Sequence, residues 1–375
     1  SIGELISDEN EFLIGQGAMV GGGDENDATH LIGRPFLDTR KDITSYWINP
    51  APVRVWDFAT VHRPRNEELY QAPMLLITEG VTKDFRSVSA VSLSDIVFRS
   101  SLTAVKARRE LTSALYSISG ILNSEYFSYM CLQSFSSSGV EREQSHDEEK
   151  LGVPYTHSEQ VAELASAIHQ LKESAYSSEN FLASQNTESE IETKVSELDN
   201  AILDAFSLSS QERDVVKYSI DITIPIQMRH QNHGALFKPL TSKGQVLVDY
   251  VNLFTERLNP AFEKKRKKIV VEVVLTRQIV GMFFMLVSIE ANAPSIKWID
   301  SNNASILNKL AAIGTEKITD RLFIQKDIRG FEKDGFYIVK PNEKRLWHKA
   351  IGHLDINEFA DAMLSSRKNS SPNVR

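Results

Sequence analysis

The chain has 375 residues, with 42 Lys and Arg against 50 Asp and Glu, a formal net charge of -8 at pH 7. That acidic balance argues against a protein that coats nucleic acid indiscriminately, and 41% apolar with 25% charged residues is the composition of an ordinary globular chain of two or three domains. A single cysteine, Cys131, excludes an intramolecular disulfide, and no apolar run reaches the roughly 18 residues a membrane span needs, so the chain reads as cytoplasmic. It starts at Ser1 rather than methionine, as a trimmed chain or the rear portion of a longer polypeptide would. Charge is unevenly spread: residues 141–214 carry 17 acidic and 5 basic side chains, and residues 260–375 carry 20 basic and 13 acidic. A local DNA-binding face and an ordinary solvated surface both fit that distribution.

Residues 1–33 are glycine-rich, with Gly15, Gly17 and Gly21 to Gly23 following the apolar Phe12, Leu13 and Ile14. A phosphate-cradling glycine loop opens a helix, whereas here Asp24, Glu25 and Asp27 follow and would repel phosphate. Residues 34–110 alternate short apolar runs with proline and charge. Segments 43–48, 53–58, 74–78 and 87–91 read as strands, punctuated by Pro50, Pro52, Pro64 and Pro73. Their loops carry Arg54, Arg63, Arg65, Lys83 and Arg86. Arginine's planar fork can read guanine bidentately or clamp phosphate, although a loop arginine is more often simply solvated.

In residues 111–144, Leu111, Leu115, Ile118, Ile121 and Leu122 follow helical spacing. Asn123 and Ser124 break the pattern and cap a second helix with Tyr126, Phe127 and Tyr129 on its aromatic face and Cys131 as a buried thiol. A small polar loop with Ser137, Ser138 and Gly139 comes next, then Arg142. On physics alone this is a helical hairpin with a polar tip, or a device that brings a serine–glycine loop and an arginine to a phosphate or base edge. The run ISGILNSEYFSYMCLQSFSSSGVEREQ resembles the target-recognition part of N-6 adenine DNA methyltransferases of the type IIG and BREX kind. That resemblance extends to Gly15-Gln16-Gly17, to Arg34-Pro35 and to the strand of residues 72–77, and it implies that Arg34 belongs with the DNA-contacting arginines.

Residues 150–220 read as helical. Thr156 with Glu159, Thr187 with Glu190, and Ser209 with Glu212 each fit a capping box. Val161, Leu164, Ile168 and Leu171 line one helix and Ile191, Val195, Leu198 and Ile202 the next, with residues 174–189 expected as a loop. An acidic outside suits a spacer or docking surface. SELDNAILDAFSLSSQERDVV is similar to the segment that follows the recognition domain in the same family. Beyond it, residues 218–223 read as a strand ended by Pro225. Thr241 or Ser242 then caps a helix whose apolar face holds Val246, Tyr250, Val251, Phe254 and Leu258. A basic run at 264–268 leads to a hairpin of residues 269–275 and 280–289; a helix at 304–313, a strand at 321–326 and a turn at Asp334-Gly335 follow. The pattern Y-x-V-K-P-N-x-x-R-x-W resembles a C-terminal module that accompanies these methyltransferases, matched by Lys340, Asn342, Arg345, Trp347 and His348. For these residues a DNA-backbone contact and an interdomain contact are both open. Residues from Ser365 are polar and expected to be disordered.

Catalytic motifs are not found. Asn259-Pro260-Ala261-Phe262 lacks the second proline of the N/D-P-P-Y/F motif that holds a flipped adenine, and reads as a helix stop. No glycine-rich turn for S-adenosylmethionine is convincing, and no nuclease string or nucleophile elbow occurs. His230 and His233 are too few for a zinc site. The expectation is therefore an α+β protein with no catalytic residues, cofactor or metal. Its parts are a mixed-sheet recognition domain at 1–150, a helical spacer at 151–217, an α+β domain at 218–364 and a tail at 365–375. The function implied by the resemblance is the non-catalytic specificity part of a restriction–modification or phage-defence system. Double-stranded DNA and a methyltransferase or other defence subunit would be its partners. The alternative is an interaction or scaffold subunit that no longer reads DNA.

Overall fold

The computed structural model describes residues 1–38, 42–50, 53–135, 147–177, 181–240, 244–299 and 327–369. The architecture is α+β, divided into Ser1–Met228 and Arg229–Arg375. Strands of the first unit are β1 (Phe12–Gln16), β2 (Asn26–Asp27), β3 (Pro35–Leu37), β4 (Ile43–Thr44), β5 (Trp47–Ile48), β6 (Arg54–Val55), β7 (Thr60–Val61), β8 (Met74–Thr78), β9 (Ser89–Ser92), β10 (Val97–Phe98) and β11 (Leu102–Ala107). Its helices are α1 (Ile2–Leu5), α2 (Thr112–Leu122), α3 (Glu125–Ser134), α4 (Asp147–Leu151), α5 (Glu159–Ser177), α6 (Phe181–Ala205), α7 (Ser210–Tyr218) and α8 (Ile224–Gln227).

A four-stranded antiparallel sheet, in the order β1-β11-β8-β9, separates two cores. Side chains of a strand alternate between faces, so Leu75 and Ile77 of β8 join Val91 and Val105 against the helices. Met74 and Leu76 face the other way, toward a lobe of short strands built around Phe36, Trp56, Tyr70 and Phe98. Burial on both faces explains why Met-Leu-Leu-Ile-Thr is apolar almost throughout. In the lobe, β3 pairs parallel with β10 and antiparallel with β6, while β2 pairs with β7 and β4 with β5.

Leu115, Ile118, Ile121 and Leu122 of α2 are buried, each contributing about 1.5–3 kcal/mol through removal from water. Asn123 ends α2 and pins it to the sheet: its amide donates to Ser89 O at 2.9 Å and Ser119 O at 2.8 Å, and its Oδ1 accepts from Ser89 N at 3.2 Å. Ser124 caps α3 by accepting from Phe127 N at 3.1 Å. The break expected at Asn123-Ser124 is thus a corner fixed by buried polar side chains, and Cys131 is buried as expected.

The following helices depart from expectation. Residues 174–189 are mostly helix, because α5 reaches Ser177 and α6 begins at Phe181. Thr187 and Glu190 therefore lie inside α6, where Glu, Gln, Ala and Leu sustain a helix despite the polar run. Thr156 does not cap α5; Ser158 does so, its Oγ accepting from Val161 N at 3.3 Å. The Ser209–Glu212 box is formed. Residues 219–223 make a π-helical turn between α7 and α8 rather than a strand. The alternating Ile220, Ile222 and Ile224 imitate a strand, yet Ile222 and Ile224 are both buried by the helical turn. Pro225 lies in α8 directly after the π-helical turn, and the helix runs on through it to Gln227. Val161, Ile168, Leu198, Ile202 and Val216 share a core with Leu115 and Val105, so the helices of 151–217 belong to the first unit.

The second unit contains α9 (Gln245–Glu263), β12 (Lys267–Leu275), β13 (Ile279–Ser288), β14 (Ile296–Ile299), β15 (Ile328–Glu332), β16 (Gly335–Pro341) and α10 (Lys349–Asn369). Its sheet has the order β14-β12-β13-β16-β15, antiparallel except for the β12–β14 pair. Both expected hairpins are present. Tyr250 and Phe254 of α9, Phe284, Phe336, Trp347 and Phe359 of α10 form one aromatic core. Pro260 does not stop α9, which continues to Glu263. Asn259 instead accepts from Ile269 N at 2.8 Å and anchors the start of β12 to the helix. Helix α10 runs to Asn369, past Ser365. Thr241, Ser242, the helix at 304–313 and the strand at 321–326 lie outside the described residues. Among the described residues no helix is long and apolar enough to cross a membrane.

Candidate nucleic-acid interface

The short-strand lobe holds residues 62–66 in place from several directions. Asn26 donates its side-chain amide to His62 O at 2.6 Å, and Asp24 N donates to His62 Nδ1 at 3.3 Å. A Cβ on Gly22 would come within 2.4 Å of the His62 ring. Close approach to that ring, rather than a phosphate, accounts for a glycine there. Met19 and Arg63 exchange backbone hydrogen bonds, and Tyr70 donates its hydroxyl to Pro64 O at 2.7 Å. Arg65 takes a left-handed φ of 69° and turns its Nε onto Gly17 O at 3.2 Å. This fixed turn presents Arg63, which is exposed and whose guanidinium has no partner among the described residues.

Other arginines of the lobe are held by carboxylates. Arg34 pairs with Glu67. Asp38 lies between Arg54 at 3.0 Å and Arg99 at 3.1 Å, and the Arg54 side chain is 69% exposed. Surface pairs of this kind contribute at most about 1 kcal/mol to stability, and each restrains its guanidinium through one nitrogen. Sequence alone pointed to Arg34, Arg54, Arg63 and Arg65. It missed Arg99 and the role of Asp38, because nothing local at Arg99 announces a partner some sixty positions away.

Arg86 has a different role. It donates to Asn123 O at 3.3 Å and lies 3.8 Å from Glu125 and 3.9 Å from Asp199. Asp199 also accepts from Glu125 N at 2.8 Å, and Glu125 pairs with Lys217. Burial pushes the Asp199 carboxyl up to about 6, against the opposing pull of Arg86. Arg86 therefore braces the turn before β9 to α3 and α6, with its side chain 27% exposed. Lys83 is exposed on the same turn. Ser137, Ser138, Gly139 and Arg142 lie outside the described residues.

The C-terminal motif is largely internal to the second unit. Lys340 is 3% exposed and pairs with Asp355, which also receives the Tyr250 hydroxyl and, at 2.6 Å, Arg329. Asn342, also 3% exposed, donates to Leu240 O at 3.0 Å and Thr276 O at 2.6 Å and accepts from Leu240 N at 2.9 Å. Neither side chain can reach a DNA backbone, because both are spent inside the second unit. Arg345 remains half-buried, with its Nε on Glu343 at 2.8 Å and its guanidinium 4.9 Å from the Phe237 ring centroid. Trp347 donates to Pro341 O at 3.1 Å, and His348 Nδ1 accepts from Ala350 N at 3.1 Å. His233 Nδ1 meets His230 O at 2.7 Å, and no group of three or more potential metal ligands occurs among the described residues.

No family model matches the chain, and no curated protein matches it. Among solved structures, a chain from a type I R-M system complex is similar at 16% identity and a TM-score of 0.25. The likeness covers 52% of this chain and 43% of that one, less than half of its length. At that TM-score it carries no argument about fold or function.

Proposed function

We propose that the chain is a non-catalytic DNA-specificity part of a restriction–modification or phage-defence methyltransferase system. The observation that carries the reading is the set of arginines on the short-strand lobe: Arg63 is exposed with no side-chain partner among the described residues, and Arg34, Arg54 and Arg99 are each held by a carboxylate. Held guanidiniums suit base-edge readout because their hydrogen-bonding directions are set before DNA arrives. The resemblance of residues 118–144 to target-recognition segments supports the same reading. Chemistry would come from a catalytic domain elsewhere, with phosphate contacts setting register and one or two arginines reading bases. Arg63→Ala tests the site: it is expected to weaken binding to a preferred duplex by about 1–3 kcal/mol and relax preference at one position. Unchanged affinity and preference would remove Arg63 from the interface.

A second reading has its own support. Arg34, Arg54, Arg65 and Arg86 all make contacts within the chain, and the net charge is negative. A scaffold that docks a defence subunit through the acidic surface of α5 and α6 would look like this. Undiminished assembly of Arg63→Ala with a co-purifying subunit, together with salt-insensitive behaviour toward DNA, would favour it.

A further inference from the structure

Three loops of the second unit converge around Asn342. Its side chain ties the segment ending at Leu240 to the turn at Thr276, as described above, and its own N–H donates to Gln278 O at 2.8 Å. Lys344 N donates to Lys238 O at 3.4 Å, joining the first loop to the third directly. On these loops stand Lys238, Arg277, Lys344 and Arg345, four cations against one carboxylate, Glu343. Lys238, Arg277 and Lys344 are exposed, and their side chains have no partner among the described residues. Arg345 is oriented in advance, one edge on Glu343 and its face on the Phe237 ring, which is 42% exposed.

We propose that this three-loop cluster is a sequence-independent contact for the phosphate backbone of duplex DNA. The inference rests on the reading of the chain as a DNA-contacting protein, and assigns affinity to a surface remote in sequence from the base-reading arginines. Clustered cations on a chain of net charge -8 mark a local departure from the overall balance. Hydrogen bonds through Asn342 and between Lys344 N and Lys238 O tie the three cation-bearing loops to one another, and several fixed positive charges suit a polyanion. The one exposed ring is already stacked by Arg345, which leaves little apolar chemistry for a peptide's side chains. This arrangement also gives Asn342 a functional consequence although it touches nothing outside: it sets the spacing of the cations.

The test compares the full chain with the triple variant K238Q/R277Q/K344Q, whose changed side chains are exposed and unpartnered, in titrations of duplex DNA across a range of salt. A pool-selected duplex and a scrambled one are both used. The expected result is a loss of about tenfold or more on both duplexes, with the slope of log affinity against log salt reduced by roughly 1 per phosphate contact removed. Base preference stays unchanged in the variant. Wild-type affinity and slope in the triple variant overturn the cluster while leaving the base-reading proposal standing. Loss of affinity in a chain that shows no base preference sustains the cluster and removes the base-reading proposal. Absence of salt-dependent duplex binding by the wild-type chain, including a case where only anionic vesicles or an acidic peptide bind, overturns the cluster.

Discussion

Burial where α3, α6 and the turn before β9 meet makes Asp199 a residue whose charge opposes folding. Arg86 from that turn, Glu125 from α3, Lys217 from α7 and the buried Tyr46 hydroxyl face it. Its carboxyl titrates near 6 in the folded chain and near 3.9 when unfolded. The folded state therefore holds the proton more tightly, and stability is lost as pH rises from about 4 through 6, by on the order of 2–3 kcal/mol. Asp199→Asn should remove that component. Urea melts of both proteins from pH 4 to 7.5 check it: the variant should gain on the wild type as pH rises. A gap independent of pH would show that Asp199 does not titrate in this range. Asn342 makes the opposite point, since its contribution is independent of pH. Asn342→Ala removes three buried hydrogen bonds and should cost the second unit about 2–4 kcal/mol, read as a lower denaturation midpoint.

Element packing is close where α2 crosses α5. A Cβ on Gly120 would stand 3.0 Å from Val161 Cγ1 and 3.5 Å from Leu198 Cδ1. Gly120→Leu should force the helices apart and cost more than about 2 kcal/mol, whereas Gly120→Ala should be tolerated far better. Equal thermal midpoints for the two variants would contradict this contact. The same helices show what a sequence can convey. Asn123-Ser124 and Ser209–Glu212 were legible because a cap is a local hydrogen bond between neighbours. Thr187–Glu190 had the same letters but sits mid-helix, and Ile220 and Ile222 alternate like a strand within a π-helical turn. Helix propensity carries α6 through the first, and tertiary burial of Ile222 decides the second. The candidate site was legible only as a set of residue types. Arg63 and Arg86 look alike in sequence; one is exposed without a side-chain partner among the described residues and the other is a half-buried brace, a difference set by Asn123, Glu125 and Asp199 on distant helices.

At the scale of the whole molecule, two units carry different candidate contacts with DNA. The short-strand lobe of the first offers arginines held by carboxylates, and the loops of the second offer exposed cations without side-chain partners among the described residues. An excess of acidic residues elsewhere would suppress indiscriminate binding and leave these surfaces to act. The lysine and asparagine of the C-terminal motif serve that division indirectly, by holding the second unit's sheet, helices and loops together. The central claim, that the chain reads a DNA sequence, is tested most directly by selecting bound duplexes from a random pool with the purified chain at two salt concentrations. The expected result is enrichment of one short motif, with affinity for it falling steeply as salt rises. Binding without enrichment, or no binding at either salt concentration, would contradict it.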